Sequence, residues 1–115
     1  MQYDSAHRLA ADIRASEEYQ TYHALKDTVN ADETTAALIR EYRKLQVTLQ
    51  MTAMTGQQAD ATDMQRFQGI STLLFAKPEV SQYLLAEMRL QQALADIFRI
   101  ITEAAGIDME LPGIS

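Results

Sequence analysis

The two histidines, His7 and His23, are the side chains of this sequence best suited to acid–base or metal chemistry, because an unperturbed imidazole titrates near neutral pH. Asp4 precedes His7 by three residues, so both side chains could share one face of a helix. A di-iron helical bundle, however, needs a Glu-x-x-His motif on each of two helices. That motif occurs nowhere in the sequence, and we therefore predict no metal site.

Nucleophilic catalysis has little support. The chain contains no cysteine, which excludes thiol nucleophiles, disulfides and thiolate zinc sites. It also lacks a Gly-x-Ser-x-Gly elbow, a glycine-rich phosphate loop and a Walker lysine. We expect a protein that is not an enzyme, with no catalytic residue and no cofactor.

One cluster of aromatic and titratable residues keeps an alternative open. Tyr19, Tyr22 and His23 lie close together in the sequence and could line a pocket between helices. Under this alternative the chain is a small-molecule-binding or enzymatic helical domain. A thermal-shift screen would separate the two hypotheses, since a ligand at 100 times its Kd stabilises a protein by about 2.7 kcal/mol.

Length and composition favour one small acidic domain. The chain has 115 residues, is 47% hydrophobic and carries a formal net charge of −6. We assign the domain to residues 1–105 and expect residues 106–115 to form a flexible acidic tail. Phosphate backbones would be repelled on average, so direct nucleic-acid binding is not expected. Without an apolar signal core or a run of 18 apolar residues, we expect no membrane insertion and a cytoplasmic location.

The scarcity of helix-breaking residues predicts an all-α fold of about five helices. Only four glycines and two prolines occur, and no strand pattern competes. Ser16 and Asp32 are expected N-terminal caps, Pro78 a first helical residue and Gly106 a helix end. The predicted helices are Asp4–Ala15, a second from the Ser16 cap to near Asn30, Glu33 to about Thr55, Asp63–Ala76, and Pro78–Ala105.

The connection before the fourth helix is predicted to be the most mobile segment. It covers Gln57–Asp63, and either Asp60 or Asp63 could cap the helix that follows. Gly69 lies inside that helix, where glycine costs about 1 kcal/mol relative to alanine. We therefore interpret Gly69 as a point where two helices cross closely.

Two apolar stripes predict that the helical bundle is completed by homodimerisation or by a higher oligomer. The stripes recur in alternating steps of four and three, which keeps side chains facing a partner helix. The last helix would be about 42 Å long, whereas a compact globule of this length is about 34 Å across. The candidate interface residues are Leu38, Tyr42, Leu45 and Leu49 on the third helix and Tyr83, Leu84, Glu87, Leu90, Leu94, Ile97 and Ile101 on the last.

Glu87 is the acidic residue on this stripe, and it has two interpretations. If it is buried, it needs an ion pair or a hydrogen bond, which would determine the helix that docks against it. Alternatively, this end of the stripe is exposed to solvent. A polar residue at such a position can set register and partner choice in helical assemblies.

Three segments give the sequence a family resemblance. They are Ser16–Tyr22, Leu38–Gln50 and Pro78–Ile101, which read SEEYQTY, LIREYRKLQVTLQ and PEVSQYLLAEMRLQQALADIFRII. In order and spacing they resemble the YlbF/YmcA family of small helical bacterial proteins. The similarity extends over nearly the whole chain up to Ala105.

The resemblance implies an all-helical, dimer-forming regulatory or adaptor protein that acts through protein–protein interaction. Its partners would be other regulatory proteins, including family paralogues. The resemblance also implies a link to competence, sporulation, biofilm development or RNase Y-dependent mRNA processing, reached through a protein partner. Better-known members bind iron–sulfur clusters through cysteines. This chain has none, so no cluster is expected here.

Overall fold

The structure is a computed structural model that describes residues 1–107. Over those residues the chain forms α-helices and no strand, which confirms the predicted all-α class. The predicted acidic tail lies almost entirely outside the described residues, from residue 108 onward. The helices are α1 Asp4–Ala15, α2 Glu17–Asn30, α3 Glu33–Met54, α4 Ala61–Phe75 and α5 Pro78–Ala105.

Local hydrogen bonds explain where the helices begin. The first backbone N–H groups of a helix have no partner within the helix, and a side-chain oxygen just before it can accept from one of them. Ser16 does so before α2, where the N–H of Tyr19 donates to its Oγ at 3.2 Å. Asp32 does so before α3, where the N–H of Thr34 donates to Oδ1 at 3.1 Å. Both predicted caps are confirmed.

The start of α4 differs from the prediction. The sequence placed this helix at Asp63–Ala76, whereas it covers Ala61–Phe75. Asp60 is the cap, and its Oδ1 accepts from the N–H of Thr62 at 2.7 Å. The sequence offered two aspartates as caps, and the one nearer the N-terminus gains this hydrogen bond.

Glycines end two of the helices. Gly56 has φ +75° and Gly106 has φ +69°, a left-handed conformation that other residues rarely adopt. The N–H of Gly106 donates to the carbonyl of Thr102 at 3.0 Å, which satisfies one of the last carbonyls of α5. The predicted end of α5 is therefore confirmed.

The interpretation of Gly69 is wrong. A Cβ built on Gly69 meets no atom within 4 Å in the described structure. The residue is exposed on α4, so no helix crosses closely at this point.

The chain divides into two compact units, with boundaries that fall inside α2 and α5. Unit 1 consists of residues 1–26 together with the residues from Tyr83 onward. It contains α1, most of α2 and most of α5. Unit 2 is Asp27–Gln82 and contains α3 and α4. The assignment of one domain to residues 1–105 stays a prediction.

Unit 2 is a pair of antiparallel helices with an aromatic contact between them. Glu41 on α3 forms an ion pair with Arg66 on α4. The ring of Tyr42 stacks on Phe67, with centroids 5.0 Å apart, and meets Phe75 edge-on at 6.0 Å. The fully or nearly fully buried residues of this unit are Val29, Thr35, Ile39, Leu45, Leu74 and Val80.

A polar network joins the start of α3 to the turn after α4. The hydroxyl of Thr35 donates to Asp32 at 2.8 Å, and the ammonium of Lys77 donates to Thr35 Oγ1 at 2.6 Å. The hydrogen bond from Thr35 is the main reason that the pKa of Asp32 lies below its ordinary value. The N–H of Thr34 and the charge of Lys77 act in the same direction.

Candidate interaction surface

An apolar groove is one of the concave features of unit 1. Its volume is about 190 Å³, and most of its lining comes from α1 and α5. Aliphatic side chains form its floor, while two carboxylates, Asp12 and Glu18, stand among them. The lining residues are Leu9, Asp12, Ile13, Ser16, Glu18, Leu90, Ala93, Leu94 and Ile97.

The groove follows from the way α1 ends. Ser16 has extended backbone, with φ −72° and ψ 153°, and this single residue separates α1 from α2. Its hydroxyl donates to the carbonyl of Ile13 at 2.6 Å. The side-chain amide of Gln20 donates to the carbonyl of Arg14 at 2.7 Å. These bonds satisfy the last carbonyls of α1 and hold the turn that brings Ile13 and Ser16 to the groove.

The apolar residues around the groove are only partly covered. No residue of α1 is buried, and along α5 none is buried from Glu87 to the end of the described chain. Leu90, Leu94 and Ile97 are half-buried, and Ile101 is 51% exposed. Unit 1 therefore leaves a continuous apolar face of α5 open to a partner.

A second recess lies beside the first in unit 1. It has a volume of about 180 Å³ and is lined by Glu17, Glu18, Thr21, Ala86 and Arg89. Carboxylates and a guanidinium at the edge of an apolar groove are typical of the polar rim of a protein interface.

The aromatic residues proposed for a pocket do lie together. The rings of Tyr19 and Tyr22 are 4.2 Å and 5.0 Å from the ring of His23. Tyr22 also stacks on the buried Tyr83 at 5.6 Å, and the ammonium of Lys26 lies 5.8 Å from the Tyr22 ring. These rings contact one another. Tyr19, Tyr22 and His23 do not line the two recesses described above.

The predicted interface residues differ in how much surface they offer. Leu45 and Tyr83 are only 5% and 6% exposed, so a partner could gain little from them. Ile101 is exposed, and the others are half-buried, namely Leu38, Tyr42, Leu49, Leu84, Glu87, Leu90, Leu94 and Ile97. Leu90, Leu94 and Ile97 are the ones that line the groove. Their role as an interface stays a prediction.

The predicted interface residues included none from α1, although α1 contributes to the groove. Leu9 and Ile13 line it, and both lie on the apolar face of the first helix. Their four-residue spacing was a usable signal, because residues at i and i+4 share a helix face. The sequence alone did not indicate that this face would stay half-covered.

Metal-binding groups and membrane-spanning helices are both lacking in the part of the chain that the structure describes. Within residues 1–107, no three His, Cys, Asp or Glu side chains lie together in a way that could hold a metal ion. His7 is exposed on α1, and His23 belongs to the aromatic cluster. None of the helices in the same part of the chain combines the length and apolarity required to span a bilayer.

A family comparison agrees with this architecture. The model of a protein family described as "Control of competence regulator ComK, YlbF/YmcA" matches residues 2–105. The chain belongs to the YlbF/YmcA family. The resemblance inferred from three sequence segments is confirmed, and the family description is consistent with a regulatory role.

Individual relatives support the same assignment to the YlbF/YmcA family. A UPF0342 protein of Caldicellulosiruptor saccharolyticus is 30% identical over 112 residues, which cover 97% of this chain and 93% of the relative. A UPF0342 protein of Bacillus pumilus is 34% identical over 99 residues, or 86% of this chain and 84% of the relative.

A solved structure shares the fold of this YlbF/YmcA family member. It is a protein of unknown function (DUF964) from Bacillus stearothermophilus, with a TM-score of 0.70 and 21% sequence identity. The match covers 90% of this chain and 91% of that protein. At this identity the likeness concerns the fold alone.

Proposed function

We propose that this chain is a non-enzymatic regulatory adaptor of the cytoplasm that acts through protein–protein contacts, and that a second copy of the chain covers the groove of unit 1. The observation that carries the proposal is the open apolar face of α5. Leu90, Leu94 and Ile97 remain half-buried along a helix that buries no residue beyond Ala86 in the described chain.

Burial of such a face is favourable because each Å² of apolar surface removed from water contributes about 25 cal/mol. The regular spacing of the three residues suits a helix of a partner, whose side chains can insert between them. A second copy is the partner we favour. Its own α5 presents the same stripe, and a two-fold contact between identical stripes matches apolar residues with apolar residues.

The size of the groove favours a protein partner over a small molecule. Pockets for small ligands usually enclose about 300–1,000 Å³, whereas this groove measures about 190 Å³. The aromatic cluster of Tyr19, Tyr22 and His23 is better explained as internal packing, because its rings lie 4.2–5.0 Å apart.

The regulatory context comes from the family. Its description names control of the competence regulator ComK, and we propose that this chain acts in a process of that kind by recruiting other regulatory proteins, including family paralogues. Its net charge of −6 favours an effect on nucleic acids through a partner over direct binding.

Sedimentation analysis at micromolar concentration tests the proposal. The wild-type chain is expected to sediment as a dimer, and Leu94→Asp is expected to sediment as a monomer because the new carboxylate would be buried against aliphatic side chains. Gln92→Asp introduces the same charge at an exposed position about 160° from Leu94 around the helix and should leave the dimer intact. Far-UV circular dichroism verifies that both variants remain helical.

A wild-type chain that sediments as a monomer at this concentration would contradict homodimerisation. A Leu94→Asp chain that stays helical and dimeric would place the contact elsewhere than the groove. Measurable turnover or a stoichiometric metabolite in the purified protein would instead favour the enzymatic or ligand-binding alternative.

A further inference from the structure

A second stripe runs along α3 on the side opposite its buried residues. We call it the outer stripe of α3, and it consists of Ala37, Arg40, Lys44, Val47, Met51 and Met54. These residues recur in alternating steps of three and four, and all of them are exposed. With about 100° of rotation per residue, they lie roughly 180° from Leu38, Tyr42, Leu45 and Leu49 around the helix.

The C-terminal half of the outer stripe is apolar. Val47 is 54% exposed, Met51 62% and Met54 86%. Single exposed apolar residues are common on protein surfaces, but three in register along one helix form a patch of the kind that binds a partner. Methionine side chains are flexible and adapt to partners of irregular shape.

The N-terminal half of the outer stripe is basic and unpaired. Three other cations of the described chain have carboxylate partners: Arg66 pairs with Glu41, Lys77 with Asp32 and Arg99 with Asp96. Within residues 1–107, no carboxylate lies within ion-pair distance of Arg40 or Lys44. In a chain of net charge −6, this pair of free cations is suited to an acidic partner segment.

The outer stripe does not fit a copy of itself. If two copies of α3 paired antiparallel about Val47, Arg40 would face the apolar Met54. If they paired parallel, Arg40 would face another Arg40. The antiparallel arrangement buries a charge against an apolar side chain, and the parallel arrangement brings like charges together. Both cost free energy. The stripe instead calls for a segment in which acidic and apolar residues are combined.

The chain itself carries such a segment in residues 108–115. Asp108 and Glu110 supply carboxylates, Met109 and Leu111 supply apolar side chains, and no basic residue follows Arg99. Residues 108–115 can span at most about 28 Å. The outer stripe from Arg40 to Met54 is about 21 Å long. An extended segment of residues 108–115 is therefore long enough to cover it.

We propose that residues 108–115 of one copy dock on the outer stripe of α3 in a second copy. The carboxylates of Asp108 and Glu110 pair with Arg40 and Lys44, and the apolar side chains between and after them cover Val47 and the methionines. This contact uses a different surface from the groove of unit 1 and does not depend on it. It would link copies of the chain through a surface that the groove leaves free.

Disulfide trapping in the full chain tests the contact, because the natural sequence contains no cysteine. One population carries Pro112→Cys, which the proposed register brings beside Thr48, and a second, distinguished by a size tag, carries Thr48→Cys, which lies beside the outer stripe. Mild oxidation is expected to give the mixed dimer. Gln46→Cys is the matched control, since it is exposed on the same helix but points away from the stripe, and it should trap at least about fivefold less.

Charge reversal then tests the recognition. Arg40→Glu with Lys44→Glu in the Thr48→Cys chain is expected to lower trapping by about fivefold, as two exposed ion pairs together contribute about 1 kcal/mol. Asp108→Lys with Glu110→Lys in the other chain should restore most of it. Each of the four substitutions exchanges one charged residue for another. Because Arg40 and Lys44 are exposed, their replacement is not expected to affect folding.

Equal trapping by Thr48→Cys and Gln46→Cys, or no response to charge reversal, would overturn the proposal. So would a chain carrying both Pro112→Cys and Thr48→Cys that closes an internal disulfide at a rate independent of concentration, because the segment would then dock on its own copy. The charge-reversed chains keep the groove of unit 1, so their sedimentation reports the groove contact separately.

Discussion

Units 1 and 2 bury their apolar residues to very different extents. Unit 2 contains six of the buried residues of the described chain, and two of these, Leu74 and Val80, are completely inaccessible. Unit 1 contains two, Tyr83 and Ala86. The difference indicates that unit 2 has the more fully buried core, although it exposes the outer stripe of α3, whereas the groove face of unit 1 is only half-buried. We therefore expect truncation of the buried residues of unit 2 to affect folding more than truncation of the groove residues of unit 1.

The largest expected effect is a difference in stability between two leucine truncations. Leu74→Ala in unit 2 should lower the free energy of unfolding by about 2–5 kcal/mol, because it empties a completely buried site. Leu90→Ala in unit 1 should cost only about 1–2 kcal/mol, because that side chain is already half-exposed. Urea denaturation of monomeric protein at low concentration measures both.

Leu73→Ala provides the control for this comparison. Leu73 precedes Leu74 in α4 but is 58% exposed, so its truncation should change the free energy of unfolding by about 0.5 kcal/mol or less. If Leu74→Ala and Leu90→Ala were equally destabilising, the distinction between the buried core of unit 2 and the half-buried groove face of unit 1 would be lost.

A smaller effect is expected at the aromatic contact of unit 2. Tyr42→Leu keeps an apolar side chain but removes the aromatic ring that contacts Phe67 and Phe75. Such aromatic pairs contribute about 0.5–1.5 kcal/mol beyond the area that they bury, so thermal denaturation should show a loss of that size. Tyr42→Phe retains the ring and should lose less. Equal losses would mean that the stacking does not stabilise unit 2.

The smallest expected effect concerns the acid sensitivity of the network at the start of α3. The pKa of Asp32 is lowered chiefly by the hydroxyl of Thr35, so Thr35→Val should raise it towards its ordinary value. A group whose pKa is lowered by folding contributes stability above its unfolded pKa. That stability is lost as the pH falls through the folded pKa. The wild-type network should therefore weaken only in acid.

A pH titration of the Asp32 carboxyl by NMR measures this shift. Thr34→Val is the matched control, because Thr34 contacts Asp32 through its backbone N–H, which the substitution retains. In the Thr34→Val variant, the pKa of Asp32 should match the wild-type value. If Thr35→Val left the pKa unchanged as well, the hydroxyl would not be the group responsible.

The helix ends show how far the sequence could be interpreted by itself. α1 and α5 begin and end at the predicted residues, and α3 ends one residue before the predicted position. The failures were the start of α4, predicted at Asp63 and found at Ala61 after the Asp60 cap, and Gly69 as a close crossing. In the first case two aspartates had the same local chemistry. In the second case, whether another helix packs against Gly69 depends on residues that are distant in the sequence.

The candidate site was less accessible to prediction. The stripe that contains Leu90, Leu94 and Ile97 was visible from its spacing, but its degree of burial was not. Leu45 and Tyr83 belonged to equally regular stripes and are covered within the chain. Periodicity identifies the apolar side of a helix, but it carries no information about whether another element of the same chain lies against that side.

The amino-acid sequence alone determined the helices, because caps, proline and glycine act through hydrogen bonds and dihedral angles within a few residues of one another. It also determined the family and the absence of thiol chemistry. The tertiary structure decided which face of α3 is buried, which aromatic rings meet, and that the apolar face of α5 stays half-covered. Those outcomes depend on packing between residues far apart in the chain, which no local pattern specifies.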